Sequence, residues 1–248
     1  MAQASQMTAV STSLEDLKLL LTMPHPCGYF PDREAKTLVV DPKEPMSPDL
    51  YSQLSALGFR RSGDMVYRPH CSSCAACIPC RVDVERFQAS HRQQRIWKRN
   101  MDLQVTVNPS PDLDEHLLLF KRYLLHRHPG GGMDSPDSSD PLDFITSDWC
   151  NSSFYEFRQH QTLLAAAVVD HLDTGLSAVY TYFETEEKQR SLGVFAILWE
   201  INQARHMKLP WLYLGYWIQD CAKMSYKDQY QPQEIYLHNQ WVKHPQVR

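Results

Sequence analysis

No stretch of this 248-residue chain is apolar for long enough to cross a membrane. The longest uninterrupted apolar run, Leu163 to Val169, falls far short of the roughly 20 residues a spanning helix needs. The N-terminus, MAQASQMTAVSTSLEDLKLL, lacks the basic residues and the apolar core of a secretory leader, which implies a reducing cytoplasm. Structural disulfides are therefore not expected among the seven cysteines. An excess of positive charge is missing too. At a formal net charge of −4 the chain is not built to coat nucleic acid indiscriminately, because that affinity comes from neutralising phosphates. Internal repeats and long low-complexity tracts are also absent. What remains, 43% hydrophobic and 22% charged, suits one large domain or two modest ones with a real core.

One local basic patch is present. RFQASHRQQRIWKRN carries Arg86, Arg92, Arg95, Lys98 and Arg99, with His91, and no acid. Such a run is either a solvated face or an anion site. Phe87 and Trp97 within it would let unpaired bases stack, which favours RNA. Just before it, CSSCAACIPC places Cys71, Cys74, Cys77 and Cys80 at every third position. Closely spaced thiols suit zinc or an iron-sulfur cluster. A structural zinc site usually draws on two separated segments, so Cys27 is the distant partner to consider, and thiols that are simply packed and reduced are the alternative.

The chain divides into readable elements. Ser13 to Leu21 reads as a capped helix, Pro48 to Leu57 as a helix closed by Gly58, and Ser62-Gly63-Asp64 as a hairpin turn. Met101 to Val107 alternates as a strand and Leu113 to Arg127 has helical spacing. A Gly/Pro/Ser/Asp-rich connector, Pro129 to Asp143, is a linker or a mobile active-site loop. Strands at Phe154 to Arg158, Thr162 to Val169 and Leu176 to Phe183 follow, then a helix from about Val194 to His206 and the strand WLYLGYWI. This order of meander, loop, helix and strand matches the core of GNAT-type N-acetyltransferases. Their glycine-rich phosphate turn is reduced here to Gly193, followed by Val194 and Phe195, so a coenzyme A site fits poorly.

Several ordered stretches together resemble the arginyl-tRNA and leucyl-tRNA protein transferases, particularly their bacterial leucyl-donor branch. They are CGYF (Cys27 to Phe30), GFRRSGDMVYRPHCSSCAACIPCRV (Gly58 to Val82), RHPGGGMD, FYEFR, GLSAVYTYF, RSLGVFAILWEI and YLGYWIQDCAKMSYK. The resemblance implies an α/β (α+β) protein in which a small N-terminal cysteine-containing domain with the basic segment, residues 1–100, joins a GNAT-like aminoacyl-transferase domain, residues 101–248. It implies transfer of leucine from leucyl-tRNA to the α-amine of proteins beginning with Asp or Glu, which feeds N-degron degradation, with arginine as the competing donor. It also implies zinc or a cluster on Cys27, Cys71, Cys74 and Cys77. Cys80 stands apart, because its position is more often aliphatic in the bacterial branch that the chain resembles.

Aminolysis of an activated ester needs no cofactor, but it makes three demands. The α-amine, with an ordinary pKa of about 7.7 to 8.0, must be neutral to attack. Asp170 and Glu156 are the candidate bases. The oxyanion needs donors, for which Tyr180, Lys223 and Tyr226 are candidates, with Lys227 beside them to reach phosphate or an ester oxygen. The acceptor's acidic side chain needs a cation, best an Arg; Arg68 or Arg81, with His70, flank the cysteine run. Arg86, Arg92, Arg95, Lys98 and Arg99 would position tRNA phosphates without reading bases. Trp199, Trp211, Trp217 and Phe195 are expected as core. Two other classes remain open: a coenzyme A-dependent acetyltransferase and a metal-stabilised RNA-binding module without catalysis.

Overall fold

A computed structural model describes residues 14–127 and 142–245. It opens with β1 (Leu19–Leu21), β2 (His25–Pro26), β3 (Glu34–Ala35), β4 (Thr37–Val40) and helix α1 (Pro48–Ala56). Strands β5 (Arg60–Ser62), β6 (Met65–Pro69) and β7 (Ile78–Asp83) follow, then α2 (His91–Arg99), β8 (Gln104–Asn108) and α3 (Leu113–Arg127). The second half runs β9 (Ser152–Gln159), β10 (Thr162–Leu172), β11 (Gly175–Phe183), α4 (Leu192–His206) and β12 (Trp211–Trp217). It closes with the one-turn helix α5 (Ala222–Ser225), β13 (Gln233–Leu237) and β14 (Gln240–Lys243). Eight strands form the main sheet, ordered β14-β13-β7-β12-β11-β10-β9-β8, and β1-β4-β6-β5 form a smaller one.

Local chemistry sets the helix ends that matter for the site. Ser47 accepts the Leu50 N–H at 3.2 Å, Pro48 occupies the first turn, and Gly58 leaves α1 at φ +83°. Helix α2 starts in a capping box: Ser90 Oγ accepts the Gln93 N–H at 3.3 Å and Gln93 accepts the Ser90 N–H at 2.8 Å. Gln93 and Ile96 face inward, while Arg92, Arg95, Lys98 and Arg99 are exposed.

Both faces of the main sheet are covered, which is why β10 reads as a continuous apolar run rather than an alternating one. Ala165, Ala167 and Val169 pack with Phe195, Leu198 and Ile201 of α4. Ala166 and Val168 pack with Leu119, Phe120 and Leu124 of α3. Leu50, Tyr51 and Leu54 of α1 and Phe59 join Leu172 and Tyr213 of the main sheet in a third cluster. Strand β7, from the first hundred residues, is an interior strand paired with β12 and β13. The division expected at residue 100 therefore does not coincide with a break between sheets.

The helix expected from Ser13 to Leu21 is not formed. Leu14 begins a turn, and Leu19–Leu21 are β1, paired with Leu38–Val40 of β4. A ladder to a neighbouring strand outweighs the capping signals of a helix only about two turns long, which is marginal by itself. The strand expected from Met101 starts at Gln104, because Asn100 and Met101 still donate to the last carbonyls of α2. Helix α3 runs from Leu113 to Arg127 as its spacing indicates. Most of the connector from Pro129 lies outside the described residues.

Candidate active site

Among the described strands, β11 and β12 are the parallel neighbours, joined by α4. Their pairing spans Gly175–Ser177 against Trp211–Tyr213 and stops there, although the strands continue to Phe183 and Trp217. Irregularities flank the point of divergence. The register shifts between Val168 and Val169 on the β10 side, leaving Val179 unmatched, and between Tyr213 and Gly215 on the β7 side, leaving Leu214 unmatched. Such bulges bend and twist a strand, and here β11 and β12 part into a notch.

Arg60 of β5 enters this notch. Its Nη1 donates to Ser177 Oγ at 2.6 Å and its Nη2 donates to the Ala178 carbonyl. Gly215 faces it at φ +80°, where a Cβ would stand 3.5 Å from the Arg60 Nε. Around the guanidinium lie groups whose ionisation it influences: Tyr51, Tyr67, Tyr216, Cys80, Lys227 and Glu200.

Glu200 of α4 is fully buried, and neither carboxyl oxygen has a hydrogen-bond partner among the described residues. Burial pushes its carboxyl up to about 8, against the opposing charge of Arg60. Lys227 is 6% exposed and donates to the Tyr216 carbonyl at 2.7 Å; burial pushes its ammonium down to about 8. The hydroxyls of Tyr155 and Tyr180 and the indole N–H of Trp217 are also buried without hydrogen-bond partners among the described residues. Tyr226, 39% exposed, is an electrostatic neighbour of Glu200 and Tyr123, and Tyr180 stacks edge-on to Tyr123 at 6.2 Å. Burial raises the phenol pKa of Tyr180 and Tyr226, so both remain protonated donors at neutral pH.

The structure brings Tyr180, Tyr226 and Lys227 to this region and leaves other expected residues elsewhere. Asp170 is engaged in a fully buried ion pair: Arg61 donates through Nε at 2.8 Å and Nη2 at 2.6 Å, and Ser152 donates at 2.7 Å. Its carboxylate is committed to three donors in the core, which fits a structural role better than that of a general base. Glu156 accepts from Arg158 at 2.9 Å and Asn108 at 3.1 Å, and lies 3.3 Å from His116 Nε2. Burial alone would raise its pKa, but these partners together hold it below the usual carboxylate range, so it too is a structural anchor. Lys223 is exposed on α5.

Arg81 is likewise consumed. It donates twice to Glu234 Oε2, at 3.0 and 2.6 Å, and lies between the rings of Trp211 and Trp241 at 3.7 and 4.2 Å. Arg68 is half-buried, donates once to the Leu57 carbonyl at 2.8 Å, and influences Tyr216 beside the notch. His70 is exposed.

Cys27, Cys71, Cys74 and Cys77 line one cavity of about 40 Å³ together with Arg33 and Glu34, whereas Cys80 is buried in the main core. The Ala76 N–H, and then Arg33 at 3.5 Å, lower the Cys74 thiol. Burial, and then the neighbouring thiols, push Cys77 up to about 12. The donor chemistry suits a thiophilic metal. In this arrangement, however, no three His, Cys, Asp or Glu side chains among the described residues are placed to hold an ion.

The basic run forms α2 and its approach. Arg86 sits 3.6 Å from Asp83, and Arg99 donates to the Gln189 carbonyl. His91, Gln94, Arg95 and Lys98 line an open groove. The aromatics of the run are not available to bases: Phe87 stacks on Tyr230, and Trp97 stacks on Trp199 at 5.8 Å. At its N-terminal end α2 touches the segment that carries Tyr226 and Lys227, because Gln93 Nε2 donates to the Gln229 carbonyl at 3.2 Å. Among the described residues no helix is long and apolar enough to cross a membrane.

Two family profiles match in sequence order: the arginine-tRNA-protein transferase N terminus over residues 25–95 and its C terminus over residues 115–237. The chain belongs to this family. It is similar to an aspartate/glutamate leucyltransferase of Alcanivorax borkumensis, with 50% identity over 93% of this chain and 95% of the relative. One of the same name from Teredinibacter turnerae shares 50% identity over 93% of this chain and 96% of the relative. Among solved structures, the C-terminal domain of a putative lysylphosphatidylglycerol synthetase from Agrobacterium fabrum has a TM-score of 0.47 at 16% identity, covering 73% of this chain and 54% of that one. The structure of L-PGS from Bacillus licheniformis has a TM-score of 0.48 at 12% identity, covering 68% and 58%. Those structural likenesses are too loose to carry an argument.

The notch of this aminoacyl-tRNA protein transferase is built from both parts of the family pattern: Arg60 comes from the N-terminal match, and Glu200, Tyr226 and Lys227 from the C-terminal one. Sequence reasoning missed Arg60, Tyr155 and Glu200. Glu200 carried a visible signal, since it is the one acid in the otherwise apolar VFAILWEI. Arg60 and Tyr155 had none, because their significance depends on where β11 and β12 separate.

Proposed function

We propose that this transferase moves leucine from leucyl-tRNA to the N-terminal α-amine of proteins beginning with Asp or Glu, marking them for N-degron degradation in the cytoplasm. The observation that carries the reading is the contact of α2 with the segment that follows α5. The exposed cations Arg92, Arg95 and Lys98 lie on a helix whose Gln93 grips Gln229, at the end of the segment bearing Tyr226 and Lys227. A tRNA acceptor arm held through its phosphates on α2 would deliver its esterified 3′ end beside buried hydroxyl donors. The identity to chains named aspartate/glutamate leucyltransferase supports leucine as donor.

In this reading Tyr180 and Tyr226 donate to the ester carbonyl as its oxygen gains charge, in a water-poor setting where such bonds count most. Arg68, which makes one hydrogen bond among the described residues and lies near Tyr216, reads the acceptor carboxylate, a role for which Arg81 has little capacity left. The antiparallel β9-β10-β11 meander, the α4 crossover and the parallel β12 support a GNAT-like transferase core. Transfer needs no cofactor, since the ester supplies the driving force. Cys27, Cys71, Cys74 and Cys77 are the set a zinc ion or cluster would draw on, as their shared cavity supports, and metal analysis of anaerobically purified protein tests this.

The deciding experiment presents labelled leucine and labelled arginine, each on tRNA, to peptides starting with Asp, Glu, Lys and Ala. Leucine transfer to the Asp and Glu peptides alone is expected. Arginine transfer would support the second donor, which the family's own description names, and transfer of neither would overturn the reading.

A further inference from the structure

Glu200 is a buried acid that no group among the described residues satisfies. A carboxyl removed from water without hydrogen bonds contributes nothing favourable to folding, and a helix position facing the core is ordinarily filled by an apolar side chain. Both oxygens are unpartnered among the described residues, and so is the hydroxyl of Tyr155, whose ionisation Glu200 influences. Two neighbouring core side chains with unsatisfied polar atoms, close to the guanidinium that enters the parting of β11 and β12, indicate a ligand with polar groups of its own. The charged and titratable groups facing Glu200 are Arg60 from β5, Tyr155 from β9, and Tyr226 and Tyr230 from the segment after β12. No ammonium among the described residues pairs with it, so its carboxyl retains the capacity to pair with a cationic ligand.

We propose that Glu200 is the catalytic base of the transfer: it receives the α-ammonium of the acceptor protein and takes one proton from it. The inference rests on the transferase reading above and adds a residue to it. The acceptor ammonium meets Glu200 in its ionised form, the proton held at rest having left to solvent, and gives one proton to that carboxylate; its freed lone pair attacks the ester carbonyl carbon. As the new carbon–nitrogen bond forms, the carbon–oxygen bond to the tRNA breaks. A second nitrogen-bound proton goes to the departing ribose oxygen, and the third stays on the amide. Glu200 then releases its proton to solvent. Tyr226, 39% exposed and an electrostatic neighbour of Glu200, marks the side from which the amine approaches the carboxyl. A group that titrates near the acceptor amine's own range accepts its proton at little cost in driving force.

The test compares two acceptors: an ordinary peptide beginning with Asp, and its α-aminooxy analogue, whose nitrogen is unprotonated at neutral pH and needs no base. For Glu200→Gln, transfer to the Asp peptide should fall by about 100-fold or more in kcat, with the KM for leucyl-tRNA unchanged, while transfer to the aminooxy peptide falls only a few-fold. Equal losses on both acceptors, or no loss on either, would overturn the proposal. If the variant does not fold, wild-type protein labelled with carbon-13 at the glutamate carboxyls decides the matter. With uncharged tRNA present, the resonance that titrates near pH 8 should move on adding the Asp peptide and stay in place with its N-acetylated form; no such response overturns the role of Glu200. Wild-type protein that transfers leucine to neither acceptor overturns the transferase reading itself and this role with it.

Discussion

Arg60 reaches from the small sheet into the parting of the main one, where its Nη1 donates to Ser177 Oγ at 2.6 Å. Ser177 is the last residue of β11 that pairs with β12. The bond therefore caps the end of a ladder whose next carbonyl, that of Ala178, is also taken by Arg60. One side chain from the N-terminal part thus closes the strand divergence around which the site is built.

Replacing Arg60 by Met should leave the Ser177 hydroxyl and the Ala178 carbonyl without their charged donor. Bonds to charged groups contribute about 1.5 to 3 kcal/mol each, and after partial relaxation a loss of roughly 2 to 3 kcal/mol is expected in urea unfolding. A variant as stable as the wild type would mean that water replaces the guanidinium at no cost.

Asp170 and Arg61 supply the contrasting case of a buried charge used for structure. Both side chains are 0% exposed. Asp170→Asn strands the guanidinium in the core and should cost about 3 to 5 kcal/mol. The kcat per folded molecule should change little. A large fall in kcat without a fall in stability would make Asp170 a catalytic candidate again.

The outer face of α2 should behave as a phosphate track. Converting Arg92, Arg95 and Lys98 to Glu should raise the KM for leucyl-tRNA strongly and flatten the dependence of log binding on log salt by about 2 to 3 units, roughly 0.7 to 0.9 for each phosphate no longer neutralised. The KM for an Asp peptide should stay constant. An unchanged salt slope in filter binding would place the tRNA elsewhere.

Glu200 makes stability depend on pH in a definite direction. Burial raises its pKa from 4.5 to about 8 in the folded chain, so between those values the folded state holds a proton that the unfolded state has released. The contribution of that proton is complete below 4.5 and is lost as the pH rises through 8. Glu200→Gln does not titrate, so its stability relative to wild type should climb between about pH 5 and 8 and level off above. Lys227 acts in another window: its folded pKa of about 8 lies below the ordinary 10.5, so the wild type is penalised below pH 8 and relieved toward 10.5. Urea unfolding across the range reads both, and a pH-independent gap for Glu200→Gln would show that the carboxyl is not held protonated. A substitution that stabilises the fold while abolishing transfer is what a strained functional group produces.

The sequence by itself determined the elements whose signals are local. Helix α3 follows from its apolar spacing, the Pro48 helix from its cap and from Gly58, and the core strand β10 from an uninterrupted apolar run. The family was legible because ordered short motifs survive without reference to geometry. Tertiary structure alone decided which polar groups are free. Asp170 and Glu156 look alike in sequence to any strand-borne acid, yet one is spent on Arg61 and the other on Arg158, His116 and Asn108. Arg81 is spent on Glu234, and Trp97 turned from the surface into the core beside Trp199. Glu200, in contrast, is left with no partner among the described residues at the point where β11 and β12 separate. Whether a charged group is satisfied depends on contacts that the fold creates, many of them between distant residues such as Arg60 and Ser177, and that information exists only once the chain has folded.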